Sequence, residues 1–256
     1  MRRTTKTVLL HVSMAGAAAA GCAAWRWQLG WGATAAERRR TLPGDDLIST
    51  PCLQATRAVG ISAPPREVWP WLVQIGQDKA GFYSYDWLQR AAGLGVRNSD
   101  RVEPEWQGLR VGDTVELADD CALGVAALED ARALVLSSRG GAAPGGALTD
   151  FDFSWAFALE PEGPTGTRLV ARERYAWTRW RAGLAVKAVS WVSFVMTRAM
   201  LAGLRDRAEG SWRDQVADRL DDAAGLGAAG AAEAPGAGSA VDGIVPGQAS
   251  PGGQKT

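Results

Sequence analysis

The chain has 256 residues, 46% of them apolar, and its 28 basic and 28 acidic side chains cancel to a net charge of +0. That length supports one domain of ordinary size with ends to spare. The balance excludes a global pull toward nucleic acid, since no basic stripe exists beyond Arg38, Arg39 and Arg40. Cys22, Cys52 and Cys121 are odd in number and widely spaced, which is neither a disulfide framework nor a zinc pattern. The lone histidine, His11, lies in an N-terminal apolar stretch, so histidine-dependent nucleophilic catalysis is excluded from the rest of the chain.

Residues 1–6 are basic and residues 7–24 carry no formal charge, with Trp25, Trp27 and Trp31 directly after them. A spanning helix needs about 20 mostly apolar residues, and tryptophans collect at the membrane interface. Residues 1–30 therefore read as a membrane anchor or signal segment. The alternatives are a cleaved signal peptide and a lipoprotein, since Ala19-Ala20-Gly21-Cys22 resembles a lipoprotein cleavage box. The expected arrangement is a membrane-anchored chain with its soluble domain outside the cytoplasm. Residues 31–50 read as a linker, 51–212 as the folded domain and 213–256 as a tail. The Ala, Gly, Pro and Ser of 222–256 bury too little apolar surface to offset ordering, so disorder is expected there.

Within the body, residues 54–61 alternate like a strand. Ser62 is a candidate N-cap, and Pro64 or Pro65 suits the first turn of a helix over 66–75 that Pro70 must delay or kink. A second short helix is expected from Ser84 to about Gly93. Strands are predicted at 113–119, 121–129, 131–138, 151–160 and 166–176. The strand 151–159 puts Phe151, Phe153, Trp155, Phe157 and Leu159 on one face, with Asp152 and Ser154 on the other. The glycines of 139–149 follow no phosphate-loop spacing. Residues 179–208 read as one long amphipathic helix, which Lys187 and Arg198 argue against being a second membrane span.

Strand, two helices, five or so antiparallel strands and a long helix make an α+β order. Together with W-G-A-T-A-A-E at 31–37, L-P-G-D-D-L-I at 42–48, A-P-P-R-E-V-W-P-W-L-V-Q-I-G-Q at 63–77, G-F-Y-S-Y-D-W-L at 81–88, N-S-D-R at 98–101, V-G-D-T-V at 111–115 and M-L-A-G-L-R-D-R-A-E at 200–209, it resembles the SRPBCC superfamily. That group is START-like and includes polyketide cyclase/dehydrase-like proteins. The likeness runs from about Trp27 to Glu209 and is narrowest to membrane-anchored, actinobacterial-type members. It implies a helix-grip fold: a curved antiparallel sheet wrapped around a long C-terminal helix, two short helices after the first strand, and a cavity for an apolar ligand. Asp78-Lys79-Ala80 and Glu173 depart from the family pattern.

Candidate ligand-binding residues are Trp71, Gln74, Tyr83, Tyr85, Trp87, Trp106, Trp155, Phe157, Trp191 and Phe194. Candidate acid–base residues are Asp86, Glu173 and Tyr85. Tyr85 and Asp86 either orient a ligand at the cavity mouth or help cap and pack the second helix. Asp100 with Arg101 reads as a structural ion pair. In the last strand Leu169, Ala171, Glu173 and Tyr175 share a face, so Glu173 enters the cavity unless a bulge turns it outward; inside, it must be paired or functional. The expected function is binding of a lipid, polyketide or similar molecule at the membrane, with no cofactor and no nucleic acid. The alternatives are a cyclase/dehydratase and a structural partner of a membrane complex.

Overall fold

The computed structural model describes residues 2–84, 98–119, 121–139 and 151–232. The chain divides into two compact units, 1–214 and 215–256. Helix α1 (Arg2–Leu29) and a short α2 (Ala35–Arg39) precede strand β1 (Leu53–Ile61), which leads into α3 (Pro65–Val73). A 3-10 turn (Pro104–Trp106) is followed by β2 (Thr114–Ala118), β3 (Cys121–Glu129), β4 (Ala133–Ser137), β5 (Asp152–Glu162), β6 (Gly166–Ala176) and α4 (Trp180–Ala232).

The six strands form one antiparallel curved sheet in the order β1-β6-β5-β4-β3-β2. Its inner face packs on α4: Phe157, Leu136 and Leu169 share a core with Val186, Met200, Leu201 and Leu204. This is the α+β, helix-grip architecture expected from the sequence. Pro64, not Ser62, is the N-cap of α3, and no side chain caps it. The Ser62 N–H instead donates to Glu209 Oε1 of α4 at 2.8 Å. Pro70 lies inside α3 and ends nothing. The second short helix, expected over 84–93, falls outside the described residues beyond Ser84. Expected disorder from residue 222 is corrected at its start, since α4 continues as helix to Ala232; alanines, with the strongest helix propensity, make up much of that stretch. Gly203 lets α4 approach the 82–84 turn, where a Cβ would meet the Tyr83 carbonyl oxygen at 2.2 Å.

Residues 31–50, read as a linker, lie against the outer face of the sheet. The Ala58 N–H donates to Trp31 O at 3.2 Å. Gly32 there has φ +71°, and a Cβ on it would stand 2.1 Å from Ala58 O. Thr34 and Glu37 cap α2 reciprocally, and Arg168 Nε donates to Glu37 Oε1 at 2.7 Å. Asp45 takes Arg172 at 2.5 Å and Arg174 at 3.0 Å. Leu42 fills a small cluster with Ala58, Ala158 and Val170. This cover explains why Ser154, Ala156 and Ala158 are buried on the side of β5 that alternation would give to solvent, and why Val170 shares a face with arginines.

The hydrogen bond from Arg168 holds the Glu37 carboxyl at about 2, down from 4.5, against a smaller opposing effect of burial. A lowered folded-state value means the stabilisation is complete above the unfolded value of 4.5 and fades as pH falls toward 2. Acid unfolding followed by circular dichroism should therefore show a stability loss through that window, and Glu37→Gln should shrink it.

Candidate functional site

Between the curved sheet and the first half of α4 lies a cavity of about 350 Å³. Alternation along β5 turns Phe153 and Trp155 into it, Phe151 joins them from just before the strand, and Leu117 and Cys121 add the β2–β3 side. Helical spacing brings Ala185, Val189 and Ser193 to the opposite wall. A lobe of about 140 Å³ shares Leu117 and Trp155 and is completed by Phe82, Met196, Thr197 and Met200. Apolar cavities of roughly 150 Å³ or more stay dry and accept apolar guests. Burial raises the Cys121 thiol above its ordinary range, so it sits there as a small apolar group. Trp155 Nε1 is buried and has no hydrogen-bond partner among the described residues.

The charged residue on the wall is Glu173, buried with Tyr175 beside it. The β5–β6 register runs without a bulge, so Glu173 faces inward. On β1, Arg57 stands opposite Ala171 and thus diagonal to Glu173. Arg57 Nη1 meets Glu173 Oε1 at 2.5 Å. The same oxygen accepts from Ser193 Oγ at 2.6 Å and Thr197 Oγ1 at 2.9 Å, and Tyr175 OH donates to Oε2 at 2.9 Å. Burial, then the neighbouring carboxylate, pushes the Tyr175 hydroxyl well above its usual range. The remaining Arg57 donors reach Gln28 O and Oε1 of α1, each at 3.2 Å, and Gln28 Nε2 donates to Ser190 Oγ at 3.1 Å. One carboxylate thus ties α1, β1, β6 and α4 together, with three donors on Oε1 and one on Oε2.

Of the candidate residues, Trp155 and Glu173 line the cavity. Trp71, Gln74, Tyr83 and Trp106 lie elsewhere. Gln74 Nε2 donates to Tyr83 OH at 2.8 Å and to Arg101 O at 3.0 Å, Gln74 Oε1 accepts from the Glu103 N–H at 3.1 Å, and Tyr83 OH donates to Trp71 O at 3.0 Å. This cluster clamps the 98–107 loop to α3, and its hydrogen bonds are spent within the protein. Trp106 packs at the edge of the core. Phe157 is core, fully buried without facing the cavity. Trp191 and Phe194 meet α1 instead, with Trp25 against Trp191 and Trp27 against Phe194 at 6.1 and 5.2 Å between ring centres. Tyr85, Asp86 and Trp87 fall outside the described residues. Asp100 pairs with Arg207 of α4 at 2.6 Å rather than with its neighbour Arg101, because α4 presents Arg207 to this loop, where its Nε also donates to Ser99 O at 2.8 Å. Cys52 and Cys121 are free thiols, as is Cys22.

Arg57, Ser193, Ala185 and Val189 were not singled out by the sequence. The signal for the last three is the Ala185-Val189-Ser193 spacing of four on a predicted helix. Arg57 carries no such signal, because its partner lies 116 positions away.

No family model and no curated protein matches this sequence. Among solved structures, a protein from Nitrosomonas europaea is similar at 14% identity and a TM-score of 0.44, over 62% of this chain and 96% of its own. One from Nitrosospira multiformis is similar at 16% and 0.38, over 63% and 99%. One from Thermus thermophilus is similar at 20% and 0.35, over 62% and 99%.

Proposed function

We propose that this chain is an SRPBCC-type binder of an apolar small molecule, a lipid, polyketide or similar compound, held at the membrane by α1. The carrying observation is the cavity of about 350 Å³ walled by Phe151, Phe153, Trp155 and Val189. Sites of this kind bind by apolar burial with a few polar groups for orientation. Trp155 supplies a large aromatic face for that burial. The cyclase/dehydratase reading is the weaker one, because the Glu173 carboxylate is engaged in a structural ion pair, with Arg57, Ser193 and Thr197 on Oε1 and Tyr175 on Oε2.

Native mass spectrometry of the full chain released from lipid nanodiscs tests the proposal. A discrete added mass is expected. Ala185→Phe, which fills the cavity from α4, should cut its occupancy about tenfold, equivalent to about 1.4 kcal/mol, with little change in melting temperature. A clean apo mass after incubation with lipid and polyketide extracts would end the binding reading.

A further inference from the structure

We infer that the outward face of α4 from Trp180 to Val195 rests on the lipid bilayer beside α1, so that the cavity's flank at Val189 opens toward the membrane. The docking stands without a ligand; only the route past Val189 rests on the binding reading proposed above.

The face is large and uncovered. Trp180 is 70% exposed, Val192 59% and Leu184 58%, with Trp191 and Val195 also open. It sits on one side of a helix whose other side is fixed: Ala182, Val186, Ser190, Phe194 and Leu201 are buried against the domain. By length and composition alone, α4 is apolar enough to cross a membrane. A helix held along its length by a sheet cannot span, but it can lie in the interface plane with one face in lipid.

Two observations make the occupant a bilayer and not another protein. The first is continuity. At Trp25 and Trp27, α1 meets Trp191 and Phe194 of α4, and residues 13–24 on the other side of that contact are exposed and uncharged throughout. The two helices therefore share one open apolar surface, with tryptophans where a water–lipid boundary favours them. The second is charge. No acidic residue occurs in 1–36 or in 174–205, while Arg26, Arg179, Lys187 and Arg198 border the apolar face and Arg181 lies in its first turn, where a long stem carries the charge out toward headgroups. In a chain with net charge +0, this one-sided distribution fits anionic headgroups. Val189 is 44% exposed and also lines the cavity, so it stands where the apolar face and the cavity wall meet.

The experiment uses the full chain with Cys22, Cys52 and Cys121 changed to Ser, and single cysteines introduced as Leu184→Cys, Val192→Cys or Val195→Cys. Each carries an environment-sensitive fluorophore, in vesicles of phosphatidylcholine and phosphatidylglycerol. Met14→Cys reports α1, and Val111→Cys, an exposed position in the turn before β2, is the control. The three α4 labels should shift to the blue and be quenched by lipids brominated on the acyl chain, and the control should do neither. Quenching at Met14 with none on α4 overturns the inference. So does a blue shift in detergent alone that accompanies a doubled mass, which makes the face a contact between two copies. Quenching on α4 with a clean apo mass sinks the ligand reading and leaves the docking; a retained ligand mass with no quenching on α4 sinks the docking alone.

Discussion

Glu173→Met should lower stability by about 3–5 kcal/mol, the usual cost of stripping a buried charge of its partner. Arg57 is almost wholly buried, and the Glu173 carboxylate is the anion it meets, while Gln28 offers it only neutral oxygens. At about 2–4 °C per kcal/mol for a domain of this size, the shift is readily seen by differential scanning fluorimetry of the full chain in detergent. The double variant Arg57→Met/Glu173→Met should regain part of the loss, because no buried charge remains. Recovery will be partial, since Tyr175, Ser193 and Thr197 lose their common acceptor. A double variant no better than the single would mean that the hydrogen bonds, not the charge pair, hold α1, β1, β6 and α4 in place.

Arg172→Lys should cost about 2–4 kcal/mol although it preserves the charge. Arg172 Nη2 donates to Glu37 O at 2.6 Å and Nη1 to Arg40 O at 2.8 Å, while Nε reaches Thr56 Oγ1 at 3.1 Å. Its Nη1 also meets Asp45. An ammonium on a flexible stem cannot fill those four directions at once, so buried carbonyls lose their donors. Asp45 keeps Arg174, which limits the loss. The readout is a lower melting temperature together with faster tryptic cleavage at Arg38–Arg40, as the covering segment loosens from the sheet. Cleavage at the wild-type rate would show that Leu42 and the cap of α2 hold the segment unaided.

Periodicity alone placed the strands to within a residue or two and identified the long final helix, because alternation and helical spacing are local properties of neighbouring residues. Phe153 and Trp155 are cavity residues for the reason their spacing gave. The capping pair of Thr34 and Glu37, three residues apart, is a local signal that the linker reading of 31–50 passed over. Glu173 was legible as a conflict, a carboxylate in an inward-facing row. Its resolution was not, since Arg57, Ser193 and Thr197 come from other elements and only sheet register and helix placement bring them to one oxygen.

The same division explains the displaced site. Gln74, Tyr83 and Trp71 form a dense polar and aromatic group in sequence, yet in three dimensions they satisfy one another and hold a loop. Residue types that bind a ligand also bind each other, and local sequence does not say which. The sequence by itself determined the fold class, the strand faces and the uncharged stretch at 7–24, since each follows from side-chain periodicity or composition. Tertiary structure alone decided that the sheet is covered on both faces, which inward groups are left without a partner and where a cavity remains, because these depend on the packing of elements far apart in the chain.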